Sequence, residues 1–107
     1  MKRSNYVDAV NRQKVKERRR FILMLLADSP DYVASDATIR GVFNETDFQI
    51  SQVEGDLHWL KEAQLISLKE VDGLLFARLL PMGLDVVNHR RVVPGVSSRD
   101  IGEWEDV

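Results

Sequence analysis

Ile50-Ser51-Gln52-Val53-Glu54 runs on through Leu57-His58-Trp59-Leu60 to Leu65-Ile66, and two apolar runs hinged at Asp72-Gly73 follow it. Ser51 and Glu54 have the spacing of a capping box, in which each side chain accepts a hydrogen bond from the other's backbone N–H. Val53, Leu57 and Leu60, with Gln64 beyond them, recur at helical spacing along one side, which predicts a helix from Ser51 to about Ala63. Asp72-Gly73 is the strongest short-range hairpin signal, because a type I′ turn needs positive φ at both central residues. Pairing about that turn sets Val71 opposite Leu74, Lys69 opposite Phe76 and Ser67 opposite Arg78. Ile66, Leu68, Leu75, Ala77 and Leu79 then share the face to be buried.

Outward from this stretch, Asp36 is a candidate N-cap for a short helix through about Asn44 that buries Ile39 and Val42 or Phe43. From Asn5 to Ala27 the apolar residues fall near three- and four-residue spacing, densest after Phe21, with Ser4 or Asn5 as cap. Its carboxyl half is expected in the core and its basic half is expected to project. Asp28-Ser29-Pro30-Asp31 ends that helix, since proline disfavours a helical residue before it. After the hairpin, Pro81 suits the first position of a last helix, docked by Leu84, Val87 and Val86. Helix, turn, helix and hairpin in this order make a winged helix-turn-helix: mainly α with a β-hairpin (α+β), a long N-terminal helix in front and a C-terminal helix after the wing.

A chain of 107 residues, 44% hydrophobic and 30% charged, supports one globular domain. The expected organisation is a basic helical extension over 1–20, the winged helix over 21–93, and an acidic, aperiodic, disordered tail over 94–107 that holds Trp104. The net charge of −2 hides a split: residues 1–20 carry eight basic and two acidic groups, net +6, and the rest carry seven basic and fifteen acidic, net −8. Such asymmetry suits a partner carrying phosphate or acidic groups, or a solvated helix surface. The longest apolar run, Phe21 to Ala27, is seven residues, too short to cross a bilayer. There is no cysteine, hence no disulfide, thiol nucleophile or thiolate metal site, and no signal-peptide pattern. A cytoplasmic location is expected.

The chain resembles the short winged-helix proteins encoded in Mu-like prophages, which are grouped with the arsenic-repressor type of transcription regulator. Over residues 18–96 the resemblance is carried by Arg20-Phe21-Ile22-Leu23 with Leu25-Leu26, Pro30-Asp31-Tyr32, Ile50-Ser51, Leu57-His58-Trp59-Leu60-Lys61-Glu62, Leu65-Ile66, Gly83-Leu84-Asp85-Val86 and Val93-Pro94-Gly95-Val96. It implies a winged-helix fold, a phage gene acting in the host cell's cytoplasm, and no catalytic residues. Gln64 stands where such proteins usually have glycine, which implies a left-handed residue there. The third helix also lacks the arginines its relatives carry.

As a DNA reader, the third helix would offer Ser51, Gln52, Gly55, His58 and Trp59 on its outer side, and glutamine suits adenine. Glu54, Asp56 and Glu62 set negative charge against a polyanion there, with Lys61 the one certain cation. Phosphate contacts are therefore expected from the first helix through Arg12, Lys16, Arg18, Arg19 and Arg20, and from the wing through Lys69 and Arg78. Trp59 either packs under the wing or faces a partner. His58 and His89 sit in different elements, and Asp85 with His89 supplies two metal ligands where a site needs more. No enzyme activity, cofactor, metal, small-molecule substrate or membrane association is expected. The expected function is that of a small phage-type DNA-binding protein in regulation or genome handling, with double-stranded DNA as partner. The alternative is a winged-helix protein-interaction module, homodimeric through its first and last helices or an adaptor.

Overall fold

The computed structural model describes residues 2–99 and consists of four helices and a three-stranded antiparallel sheet. Helix α1 spans Lys2–Ala27, so it starts ahead of Ser4 and Asn5, and neither caps it. Residues 5–12 are exposed without a break. More than two turns at 100° per residue expose every side of the helix, so this half stands clear of the rest. A single turn, Pro30–Tyr32, leads into strand β1, Val33–Ser35. Helix α2 is Asp36–Phe43 and a second turn, Ile50–Gln52, leads into helix α3, Val53–Glu62. Strands β2, Ile66–Val71, and β3, Leu74–Leu79, form the wing, and helix α4, Pro81–Val87, closes the domain.

The order α1-β1-α2-α3-β2-β3-α4 is that of a winged helix. Val71 faces Leu74, Lys69 faces Phe76 and Ser67 faces Arg78, the register that the sequence predicts. Asp72 and Gly73 have φ of 51° and 80°, as a type I′ turn demands. The strand β1 is an addition. It pairs Val33 with Arg78, Ala34 with Ala77 and Ser35 with Phe76, making β3 the central strand of the order β1-β3-β2. Three residues are too few to carry a detectable alternation.

Two further helix boundaries differ from the sequence-based expectation. Ser35, one residue ahead of Asp36, caps α2 by accepting from the Thr38 N–H at 3.1 Å. The carboxylate of Asp36 instead accepts from the Leu75 N–H at 3.3 Å and from Arg40 Nη1 at 2.8 Å, tying α2 to the wing. The Ser51–Glu54 capping box does not form, because the turn at Ile50–Gln52 defers the start of α3 to Val53 and leaves Gln52 as a cap without a side-chain bond. The end of α3 is as the resemblance implies. Gln64 has φ of 64°, the Gln64 N–H donates to Lys61 O and the Leu65 N–H to Leu60 O, which is a Schellman motif without glycine.

The core joins Ile22, Leu23 and Leu26 of α1 to Ile39, Phe43, Val53, Leu57, Leu60, Leu65, Ile66 and Ala77. At its edge Phe21, Phe43 and Phe48 stack in a tilted triad with ring centroids 5.5–5.7 Å apart, a favoured aromatic geometry. Helix α4 docks through Gly83 and Val86, which are buried, and less through Leu84 and Val87, which are half-buried. A side chain at 83 would run into the Leu65 carbonyl.

Candidate nucleic-acid interface

The three consecutive arginines 18–20 do not project. At 100° per residue they span about 200° of the helix circumference, so no single face holds all three. Each fastens a different element to α1. Arg18 points at α3, where its Nε and Nη2 form a fork on the two oxygens of Asp56, the second bond 2.9 Å long. Asp56 is 3% exposed, on the buried side of α3 instead of its outer side. Residues 53, 56, 57 and 60 are spaced as one apolar stripe, and the aspartate occupies a core position in it.

Arg19 Nε lies 3.7 Å from the same carboxylate, and its guanidinium stacks 3.8 Å from the ring centroid of Trp59. Burial lowers its pKa from the ordinary arginine value; the Asp56 charge opposes the shift and the Arg18 cation adds to it. Arg19 Nη1 also donates to Gly95 O at 3.1 Å. Arg20 is 2% exposed. Its Nη1 donates to Val86 O and its Nη2 to Val87 O, both at 3.2 Å, so it caps the carbonyl end of α4 where a cation is favoured. Nη1 also reaches Ser97 O at 3.3 Å.

The segment over residues 93–97 is therefore a strap and not the start of a loose tail. Val96 and Ser97 are 5% exposed, and the Ser97 N–H donates to Lys16 O at 3.1 Å. Gly95, at φ of 95°, lies so near Trp59 that a Cβ there would meet the ring at 2.5 Å. Trp59 is thus half-buried under this strap and against Arg19. The expected limits of the domain shift accordingly, to include arginines 18–20 at one end and the strap at the other. Trp104 and residues 100–107 lie outside the described residues.

The remaining predicted positions are exposed: Arg12, Lys16, Lys69 and Arg78 among the cations, and Ser51, Gln52, Gly55 and His58 around α3. Gly55 has nothing within 4 Å of its would-be side chain. Glu54 and Glu62 face outward with Lys61, and His58 Nε2 lies 4.0 Å from Glu54 in an exposed pair. The basic residues of α1 open onto different grooves. Lys14, on the strip of α1 beside Arg18, joins Asn11, Gln49 and Gln52 around a groove of about 300 Å³. Lys16 lines another, of about 320 Å³, with the strap. Among the described residues no three acidic or histidine side chains gather as metal ligands. No helix among them is long and apolar enough to cross a membrane. Neither a scan against protein-family models nor a search of curated proteins returns a match.

Proposed function

We propose that this winged helix works by contact with protein and does not read DNA, in keeping with the alternative drawn from the sequence. The single observation that carries the proposal is the internal use of arginines 18–20. Three of the five phosphate contacts expected from α1 are occupied by Asp56, Gly95 O and the end of α4. What stays exposed around α3 is acidic at Glu54 and Glu62 against Lys61, and DNA affinity depends heavily on phosphate neutralisation. The clear half of α1 exposes apolar side chains instead: Tyr6 is 76%, Val7 53% and Val10 51% exposed. Side chains of this kind are suited to protein contact. The resemblance to prophage proteins directs the search for partners to products of phage genes, and the role is non-enzymatic.

One observation favours the DNA reading: Arg12, Lys14 and Lys16 are exposed, and Lys14 shares its groove with Gln49 and Gln52 at the head of α3. Fluorescence anisotropy of a labelled duplex, titrated with the intact chain at low and physiological salt, separates the two. The protein-contact reading predicts no binding tighter than the non-specific range of about 10⁻⁴–10⁻⁶ M at physiological salt. Submicromolar binding that falls steeply with salt and is lost in Arg12→Gln/Lys14→Gln/Lys16→Gln would overturn it.

A further inference from the structure

We propose that the protein-contact surface is completed by a second copy of this chain, docked antiparallel along α1. Val7, Val10, Lys14, Glu17 and Phe21 follow one another at steps of three, four, three and four, and Met24 continues the series. That is the a/d spacing of a two-stranded coiled coil. Of these, Val7, Val10 and Lys14 are exposed, while Glu17, Phe21 and Met24 are half-buried. The seam is apolar at both ends and charged in the middle.

Only one orientation satisfies it. In a parallel pair Lys14 would face Lys14 and Glu17 would face Glu17. In an antiparallel pair a positions face d positions, which sets Lys14 against Glu17 twice by two-fold symmetry. The same register lays Val10 over Phe21 and Val7 over Met24. Such an isologous contact closes on itself and leaves nothing to polymerise. Space for it exists: Lys14, Glu17, Phe21, Thr46, Asp47 and Phe48 surround an open pocket of about 440 Å³ at the root of the clear half of α1. Asp47 adds a second carboxylate to the pocket that receives the partner's lysine. A seam running from 7 to 24 is about 27 Å long, at the small end of specific interfaces, so association in the micromolar range is expected.

The test uses the full chain in sedimentation equilibrium across about 5–500 µM, a range set by so small an interface. A monomer–dimer equilibrium is expected. Lys14→Glu and Glu17→Lys should each weaken it by more than about tenfold, because each places like charges face to face twice. The two variants mixed should pair with each other, since every 14–17 contact is then of opposite sign, and circular dichroism checks that both are folded. A chain that stays monomeric, a dimer that Lys14→Glu leaves intact, or a mixture that fails to pair would overturn the proposal. It rests on the protein-contact reading, yet the two fail separately. A monomer that leaves DNA unbound defeats the seam alone, and a dimer that binds DNA tightly defeats the reading alone.

Discussion

Replacing Asp56 by asparagine removes one charge from the interior and leaves two guanidinium groups beside each other without their carboxylate. Asp56 is 3% exposed, and the side chains of Arg18 and Arg19 are 12% and 17% exposed. Removing one partner of a buried pair costs about 3–5 kcal/mol. The arginines keep some access to water and recover part of their hydration, which lowers the expected loss to about 2–4 kcal/mol. Domains of this size are stable by only about 5–15 kcal/mol, so the variant should give up a large share of its stability. At about 4–8 °C per kcal/mol, the melting midpoint should fall by about 8–32 °C. Urea denaturation followed by far-ultraviolet circular dichroism measures the loss, with an unchanged slope as the check that both states keep their compactness. Arg18→Met with Asp56→Leu, which replaces the ion pair by apolar groups of similar size, should lose less than Asp56→Asn alone. A loss below about 1 kcal/mol in Asp56→Asn would be that of a surface pair and would refute the reasoning.

Gly95→Ala should lift the strap off Trp59, since it meets both a φ of 95° and the indole ring. In a Trp104→Phe background the emission of Trp59 should shift to the red, with a stability loss of about 1–3 kcal/mol. Gly55→Ala should gain about 0.5–1 kcal/mol in thermal melts, because the position is exposed, helical in the first turn of α3 and free of contacts. Gln64→Gly should gain about 0.5–1 kcal/mol by relieving a left-handed side-chain residue at φ of 64°. The pKa of Asp36 is lowered: burial works to raise it, and the bond from Arg40, the Leu75 N–H, the Arg40 charge and the Ala37 N–H outweigh that. The folded state therefore binds the proton less readily than the unfolded state, and Asp36 stabilises the fold above the ordinary carboxylate range. The stability gap between the native chain and Asp36→Asn should be full near neutral pH, begin to close as pH falls into that range and vanish only below the lowered folded-state pKa, which denaturant titrations at several pH values would record.

The wing was readable in detail because a two-residue turn fixes its register and period two fixes its faces. Residues 66–79 therefore pair as expected, whereas β1, with three residues, left no period to detect. The end of α3 was legible at Gln64, and the start was not, since a one-turn helix at Ile50–Gln52 competes with the capping box for the same residues. Arginines 18–20 looked like a cationic surface because charge counts carry no direction. Two signals pointed the other way: consecutive helical positions diverge by 100°, and Asp56 interrupts the stripe of Val53, Leu57 and Leu60. A carboxylate at a core position of one helix calls for a cation from another. The partner of Trp59 could not be read, because it lies far along the chain at Gly95.

Arginine side-chain NMR gives the most direct test of whether guanidinium groups 18–20 belong to the interior. Their Nε–H signals would be followed in the native chain, with Asp56→Asn to assign Arg18, before and after adding duplex DNA at low salt. Internal arginines should give Nε–H signals that exchange slowly with water and stay unmoved by DNA, while exposed Arg12 and Arg78 give averaged signals. Rapid exchange at positions 18–20, or shifts there on adding DNA, would contradict the internal arrangement and return these groups to a phosphate-binding surface.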